Sequence, residues 1–182
     1  FGNGLAPYAT YAQSFEPVNS LSASGEPFKP TRGELFETGL KYQPENWDAL
    51  FTAAIYHLTQ TNVLSADPAN PRLSVQSGEV RSRGLELQAH ARLSPQWSVI
   101  AAYTWQNVEY TKGNANEVGR TPSRVPTRFG GVWLAWDAPS GLGAALGVRH
   151  NGGSWGGYQT LQDFRVPGYT LVDAQLHYDL GR

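Results

Sequence analysis

Between Gly84 and Leu93 the chain alternates without a break. Leu85, Leu87, Ala89, Ala91 and Leu93 fall on one side, Glu86, Gln88, His90 and Arg92 on the other. Side chains of an extended chain point to opposite faces with period two, so this is a β-strand with one apolar and one strongly polar face. Ser94-Pro95-Gln96 turns the chain, and Val99, Ala101, Tyr103 and Trp105 continue the apolar side of a second strand. A hairpin of this kind leaves one question open, namely which solvent each face meets.

The rest of the chain repeats the pattern. Strands are expected over 5–15, 31–42, 49–61, 98–111, 128–137, 143–151 and 170–180, which with the strand at 84–93 makes eight. Phe36, Thr38, Leu40 and Tyr42 oppose Glu37, Gly39 and Lys41, and Leu146, Val148 and His150 oppose Ala145, Gly147 and Arg149. In the last strand Thr170, Val172, Ala174, Leu176 and Tyr178 oppose Asp173, Gln175, His177 and Asp179. The third strand is apolar on both sides, and Leu50, Thr52, Ala54, Tyr56 and Leu58 are grouped on one of them. Twenty Gly, twelve Pro and 12% aromatic residues accompany few helical periodicities, which points to an all-β chain.

The connections alternate in length. Those at 44–48, 94–97 and 138–141 are short, and those at 16–30, 62–76, 112–127 and 152–165 are long. Pro30, Pro71, Pro126 and Pro167 precede the strands that follow the long loops, where a missing backbone donor costs little. Antiparallel strands therefore collect every short turn at one end and every long loop at the other. A soluble sandwich has no reason to sort its connections this way, whereas an outer-membrane barrel does. No helix or second sheet is expected to cover eight apolar faces, so the apolar side is assigned to lipid and the polar side to a wet lumen. Aromatic residues are sorted as well. Tyr42, Trp47, Trp97, Trp136 and Tyr178 lie at the turn end, and Tyr56, Trp105, Tyr110, Phe129 and Tyr169 toward the loop end, as expected of two interfacial belts.

Composition narrows the function. A net charge of −1 argues against nucleic acid as the main partner, and the absence of Cys removes thiol chemistry. No apolar run is long enough for a transmembrane helix. Met is absent, position 1 included, as expected of a chain that begins inside a longer protein or after processing. Glu86/His90 and His177/Asp179 share the polar face, but i, i+4 along a strand spans about 13 Å and no nucleophile motif accompanies them. The four histidines lie on separate elements without metal-ligand spacing. No catalytic, cofactor-binding or metal site is expected.

Several stretches resemble TonB-dependent siderophore receptors, most closely the ferrichrome/ferrioxamine (hydroxamate) group. They are Pro7-Tyr-Ala-Thr-Tyr-Ala-Gln-Ser-Phe-Glu-Pro17, Phe28-Lys-Pro-Thr-Arg-Gly33, Thr59-Gln-Thr-Asn-Val-Leu-Ser-Ala-Asp-Pro68, Gly78-Glu-Val-Arg-Ser-Arg-Gly-Leu-Glu86, Gly147-Val-Arg-His150 and Val166-Pro-Gly-Tyr-Thr-Leu-Val-Asp173. The resemblance runs over essentially the whole chain, 1–182. It implies an antiparallel transmembrane β-barrel segment, strands 13–20 of a 22-stranded barrel, in the bacterial outer membrane. The plug, the TonB-contacting segment and the last strands would lie outside this chain. It further implies import of a ferric siderophore with energy delivered through TonB, the iron arriving chelated and no cofactor being bound. A passive porin is the alternative, and an outer-membrane barrel enzyme a more distant one. Trp155, Tyr158 and Phe164 are candidates for lining the siderophore vestibule, against the plainer reading of packing within their own loop. Arg81 and Arg83 share the parity of Leu85. They are candidates for lipopolysaccharide phosphates, unless a bulge at Gly84 turns them inward.

Overall fold

The computed structural model describes residues 3–67, 70, 72–156 and 164–180. Eight strands form one antiparallel sheet: β1 (Leu5–Glu16), β2 (Thr31–Tyr42), β3 (Ala49–Ala66), β4 (Ser74–Arg92), β5 (Trp97–Lys112), β6 (Arg128–Asp137), β7 (Leu142–Asn151) and β10 (Tyr169–Tyr178). A small hairpin, β8 (Ser154–Trp155) with β9 (Arg165–Val166), stands between the last two. Sheet order follows chain order, so β1 and β10 are the two edges.

Register makes the two faces explicit. Reading straight across all eight strands, Leu5, Tyr42, Phe51, Ala89, Ala101, Val132, Val148 and Val172 form one unbroken apolar row. On the opposite face Tyr8, Gly39, Ala54, Glu86, Thr104, Phe129, Asn151 and Tyr169 form a row that mixes charged and polar groups with aromatic rings. Nothing packs on the apolar side among the described residues. Leu87 is 41% exposed, Val172 67% and Leu176 79%. An apolar sheet face bare over eight strands is incompatible with water and suits a hydrocarbon solvent.

On the polar face, rings lie over glycines in the neighbouring strand. Tyr8 covers Gly39, Tyr56 covers Gly84 and Trp133 covers Gly147, each directly cross-strand. The missing Cβ makes room for the ring, which then fills the hole that a strand glycine leaves in the sheet surface.

Three expectations are corrected. The connection at 62–76 is far shorter, because β3 and β4 stay paired to Ala66 and Ser74 through two register shifts. Asn62 adopts a φ of 59° at the first shift, a conformation Asn tolerates. Its amide donates to the Pro30 carbonyl at 3.0 Å, and its carbonyl accepts from Gln76 Nε2 at 3.0 Å. Long-range hydrogen bonds therefore hold as strand what polar composition reads as loop. The connection at 152–165 carries the β8–β9 hairpin.

The loop-end aromatic belt is the second correction. Only Trp105 of its five members lies on the apolar face. Tyr56 pairs with Gly84, Tyr110 with Val80, Phe129 with Thr104 and Tyr169 with Asn151, all on the face of Glu86. At the turn end, Tyr42, Trp97, Trp136 and Tyr178 are all outward by register, and rings touch there. Phe51 lies 6.3 Å from Tyr42 and 5.5 Å from Trp47, and Trp97 lies 6.4 Å from Trp136.

The third concerns Gly84. Pairing runs without a shift from Val80↔Tyr110 to Arg92↔Ser98, so no bulge exists there. Arg81 and Arg83 keep the outward parity of Leu85. The shift falls instead between Glu79 and Val80.

Candidate functional site

The polar face and the loop end above it are the surfaces a water-borne ligand can reach. Tyr56 points into this side, its hydroxyl 2.9 Å from Gln106 Oε1 and 3.2 Å from Ser82 Oγ. Gln106 in turn donates to the Pro126 carbonyl at 2.9 Å, tying the end of the 113–127 loop to the wall. Arg149 Nε donates to Asp173 Oδ2 at 3.0 Å, and Asn151 Nδ2 to the Tyr169 hydroxyl at 2.8 Å. Such groups are paired with one another, Tyr56, Ser82 and Gln106 largely out of solvent and Arg149 and Tyr169 exposed, a mixture that suits a polar lumen wall.

The histidine and carboxylate pairs are split up. His177 Nε2 contacts Asp137 Oδ1 at 3.0 Å, reaching across Gly143, whose Cβ would collide with both groups. Asp179 is not its partner there. Glu86 and His90 lie opposite different residues, Thr104 and Ile100. Among the described residues no three His, Asp or Glu side chains gather as a metal site.

At the loop end of the sheet, six residues past Leu85, β4 and β5 carry an ionic clamp. Glu79 accepts from Lys112 Nζ at 2.6 Å and from Thr111 Oγ1 at 2.6 Å. These bonds, Lys112 first, hold its carboxyl below the usual range. Arg81 is neutralised by Glu109, while Arg83 donates Nε to His57 Nδ1 at 3.3 Å.

The aromatic candidates sit on the β8–β9 hairpin. Trp155 pairs with Arg165, whose guanidinium carbon lies 5.4 Å from the indole centroid, a cation–π arrangement. The Phe164 ring covers Gly156, and the Gly156 amide donates to the Phe164 carbonyl at 2.9 Å. Trp155 remains 42% exposed and Phe164 57%. Both therefore pack within the loop and present open ring surface. Tyr158 lies outside the described residues. Arg124, at a φ of 64°, donates its amide to the Trp155 carbonyl at 2.7 Å, fastening this hairpin to the preceding loop. Neither Arg124 nor Arg165 carries a spacing signal that sequence reasoning can use, because their partner is set by the fold.

A single-layer sheet with one apolar and one polar face, short turns at one end and loops at the other, is the wall of an outer-membrane β-barrel. The chain belongs to the family described as TonB dependent receptor-like, beta-barrel, whose model matches residues 1–182. It is 41% identical over 186 residues to the ferrichrome outer membrane transporter/phage receptor of Escherichia coli, covering 100% of this chain and 24% of that protein. It is 35% identical over 185 residues to the ferrioxamine B receptor of Salmonella typhimurium, covering 99% of this chain and 26% of that protein. Its fold matches the crystal structure of the ferric-catecholate import receptor Fiu of Escherichia coli with a TM-score of 0.77. That match has 24% identity and covers 98% of this chain and 27% of that one. The chain thus spans about a quarter of the length of these relatives. The family is one of receptors and transporters.

Proposed function

We propose that the protein containing this wall imports a ferric siderophore across the outer membrane, with TonB supplying the energy. The iron would travel as cargo inside its chelate, with no protein ligand from this chain. The observation that carries the reading is the unbroken apolar row across eight strands, backed by a polar face and open at both edges. A larger barrel closes those edges, since unpaired strand edges are not tolerated in lipid. Similarity to ferrichrome and ferrioxamine receptors favours a hydroxamate chelate.

Within this chain, the exposed rings of Trp155 and Phe164 are the contact surface offered to such a ligand, with Tyr158 on the same loop. Arg165 orients Trp155, and Arg124 fixes the hairpin to its neighbour. The test is uptake of radioiron-loaded ferrichrome and ferrioxamine B by cells carrying the full-length receptor, with and without TonB. Uptake that vanishes without TonB supports the reading. Uptake indifferent to TonB makes the protein a passive channel.

A further inference from the structure

The fastening of the Trp155 hairpin leads back to the lumen wall through one glutamine. Gln106, half-buried on β5, carries an acceptor and a donor on its side-chain amide, and both are engaged. The Tyr56 hydroxyl donates to Oε1 at 2.9 Å, and Nε2 donates to the Pro126 carbonyl at 2.9 Å. Tyr56 thereby fixes which end of the amide faces the loop. The Gln106 backbone amide donates to the Thr127 carbonyl at 2.8 Å, so the wall grips two consecutive loop residues. From that grip to the hairpin the chain is stiff. Pro122 and Pro126 have fixed φ, and Thr121 and Val125, which precede them, favour extended backbone. Arg124 lies between the two prolines at a φ of 64°, a left-handed conformation that costs energy in a residue with a side chain. Such strain persists only where the surroundings impose it. Here they are the grip of Gln106 on one side and, on the other, the Trp155 carbonyl, which accepts from the Arg124 amide at 2.7 Å.

We propose that Gln106 is a positioning residue for siderophore binding. Through the stiff 122–126 segment it sets where the hairpin carrying Trp155 and Phe164 is held. The proposal rests on the reading that those rings contact the chelate. Tyr56 acts one step further back, by orienting the Gln106 amide. A displaced contact surface weakens capture of the chelate and leaves the later passage through the barrel untouched, so the effect falls on KM. Loss of one hydrogen bond of this kind changes such an equilibrium severalfold.

The test uses the full-length receptor, with the chelate it imports, ferrichrome or ferrioxamine B. Gln106→Met keeps the side-chain length and removes both side-chain hydrogen bonds. Gln106→Glu keeps the acceptor for Tyr56 but has no donor for the Pro126 carbonyl. Each should raise the KM of uptake about fivefold with an unchanged maximal rate. In the purified receptor labelled with fluorotryptophan, the fluorine resonance of Trp155, assigned by Trp155→Phe, should shift in both variants. Tyr56→Phe should have a smaller effect on KM, and none when added to Gln106→Met, because the two residues share one hydrogen-bonded path. Gln13→Met, which removes a glutamine hydrogen bond to Glu34 at the β1 edge, should change neither readout. An unmoved Trp155 resonance, a lower maximal rate with KM unchanged, or full additivity with Tyr56→Phe would each overturn the proposal. Trp155→Ala separates it from the reading beneath it. If Trp155→Ala weakens binding of the chelate while Gln106→Met does not, only the positioning role fails. If Trp155→Ala binds as tightly as the unaltered receptor, the contact reading fails and the positioning role with it.

Discussion

Tyr56 lies across Gly84, with its Cε1 2.6 Å from where a glycine Cβ would stand, and its hydroxyl reaches 2.9 Å to Gln106. One residue without a side chain thus lets an aromatic ring lie flat along the lumen wall and join the strand before it to the strand after. Gly84→Ala should force the ring or the Trp105 carbonyl, 2.7 Å from the same point, to move. Overpacking of this kind costs about 1–3 kcal/mol. Tyr56→Phe should cost about 1 kcal/mol through its lost hydrogen bonds. Urea unfolding of the full-length barrel in micelles reads both.

Ala101 and Ala102 are neighbours in sequence and opposites in solvent. Ala101 belongs to the apolar row and Ala102 pairs with Gln88 on the polar face. Ala101→Arg should destabilise by about 2–4 kcal/mol, the cost of a cation near mid-bilayer on the lipid face. Ala102→Arg should be close to neutral. Folding yield into vesicles, titrated against denaturant, gives the comparison, and equal costs would mean the faces are misassigned.

Glu79 links stability to pH at the loop end. Its folded carboxyl is held below the ordinary range by Lys112 and Thr111, so the unfolded form binds a proton first as pH falls. The clamp is therefore complete above the ordinary carboxyl range and is lost as pH drops through and below it. Amide exchange at residues 110–114, corrected for its intrinsic pH dependence, should rise there in the native protein. In Glu79→Gln that rise should be absent.

The hairpin of Trp155 gives a fourth expectation. Arg165→Ala should free the indole at a cost of about 0.5–1 kcal/mol, typical of an exposed cation–π contact. Trp155→Ala in the full-length receptor should weaken siderophore binding severalfold if its exposed ring is a contact. An unchanged binding curve confines Trp155 to packing within its loop.

The alternation of Leu85 to Leu93 reads directly as structure, because only an extended strand puts every second residue on one face. β2 and β6 begin and end where expected, since Pro30, Pro126 and the short turns mark them. The extended arms of β3 and β4 do not read this way. They are held by Asn62 reaching Pro30 and by Gln76 reaching Asn62, contacts 32 and 14 residues apart that no local pattern announces. The aromatic belt misleads for a related reason. Tyr56 looks interfacial by its height on the strand, yet the glycine that receives it lies on the neighbouring strand, far along the chain. For the candidate site, Trp155 and Phe164 are conspicuous as loop aromatics. Arg124 and Arg165 become relevant only once the hairpin brings them to Trp155.

The facing of the sheet decides which solvent every wall residue meets, and single cysteines test it most directly. Placed at Leu87, Gln88, Val172 and Gln175 of the full-length receptor in its native membrane, they should divide strictly by parity. Positions 87 and 172 should be quenched by lipid-borne probes and spared by a water-soluble maleimide, and positions 88 and 175 should show the reverse. The opposite pattern, or one without parity, would contradict the assignment of the apolar row to lipid.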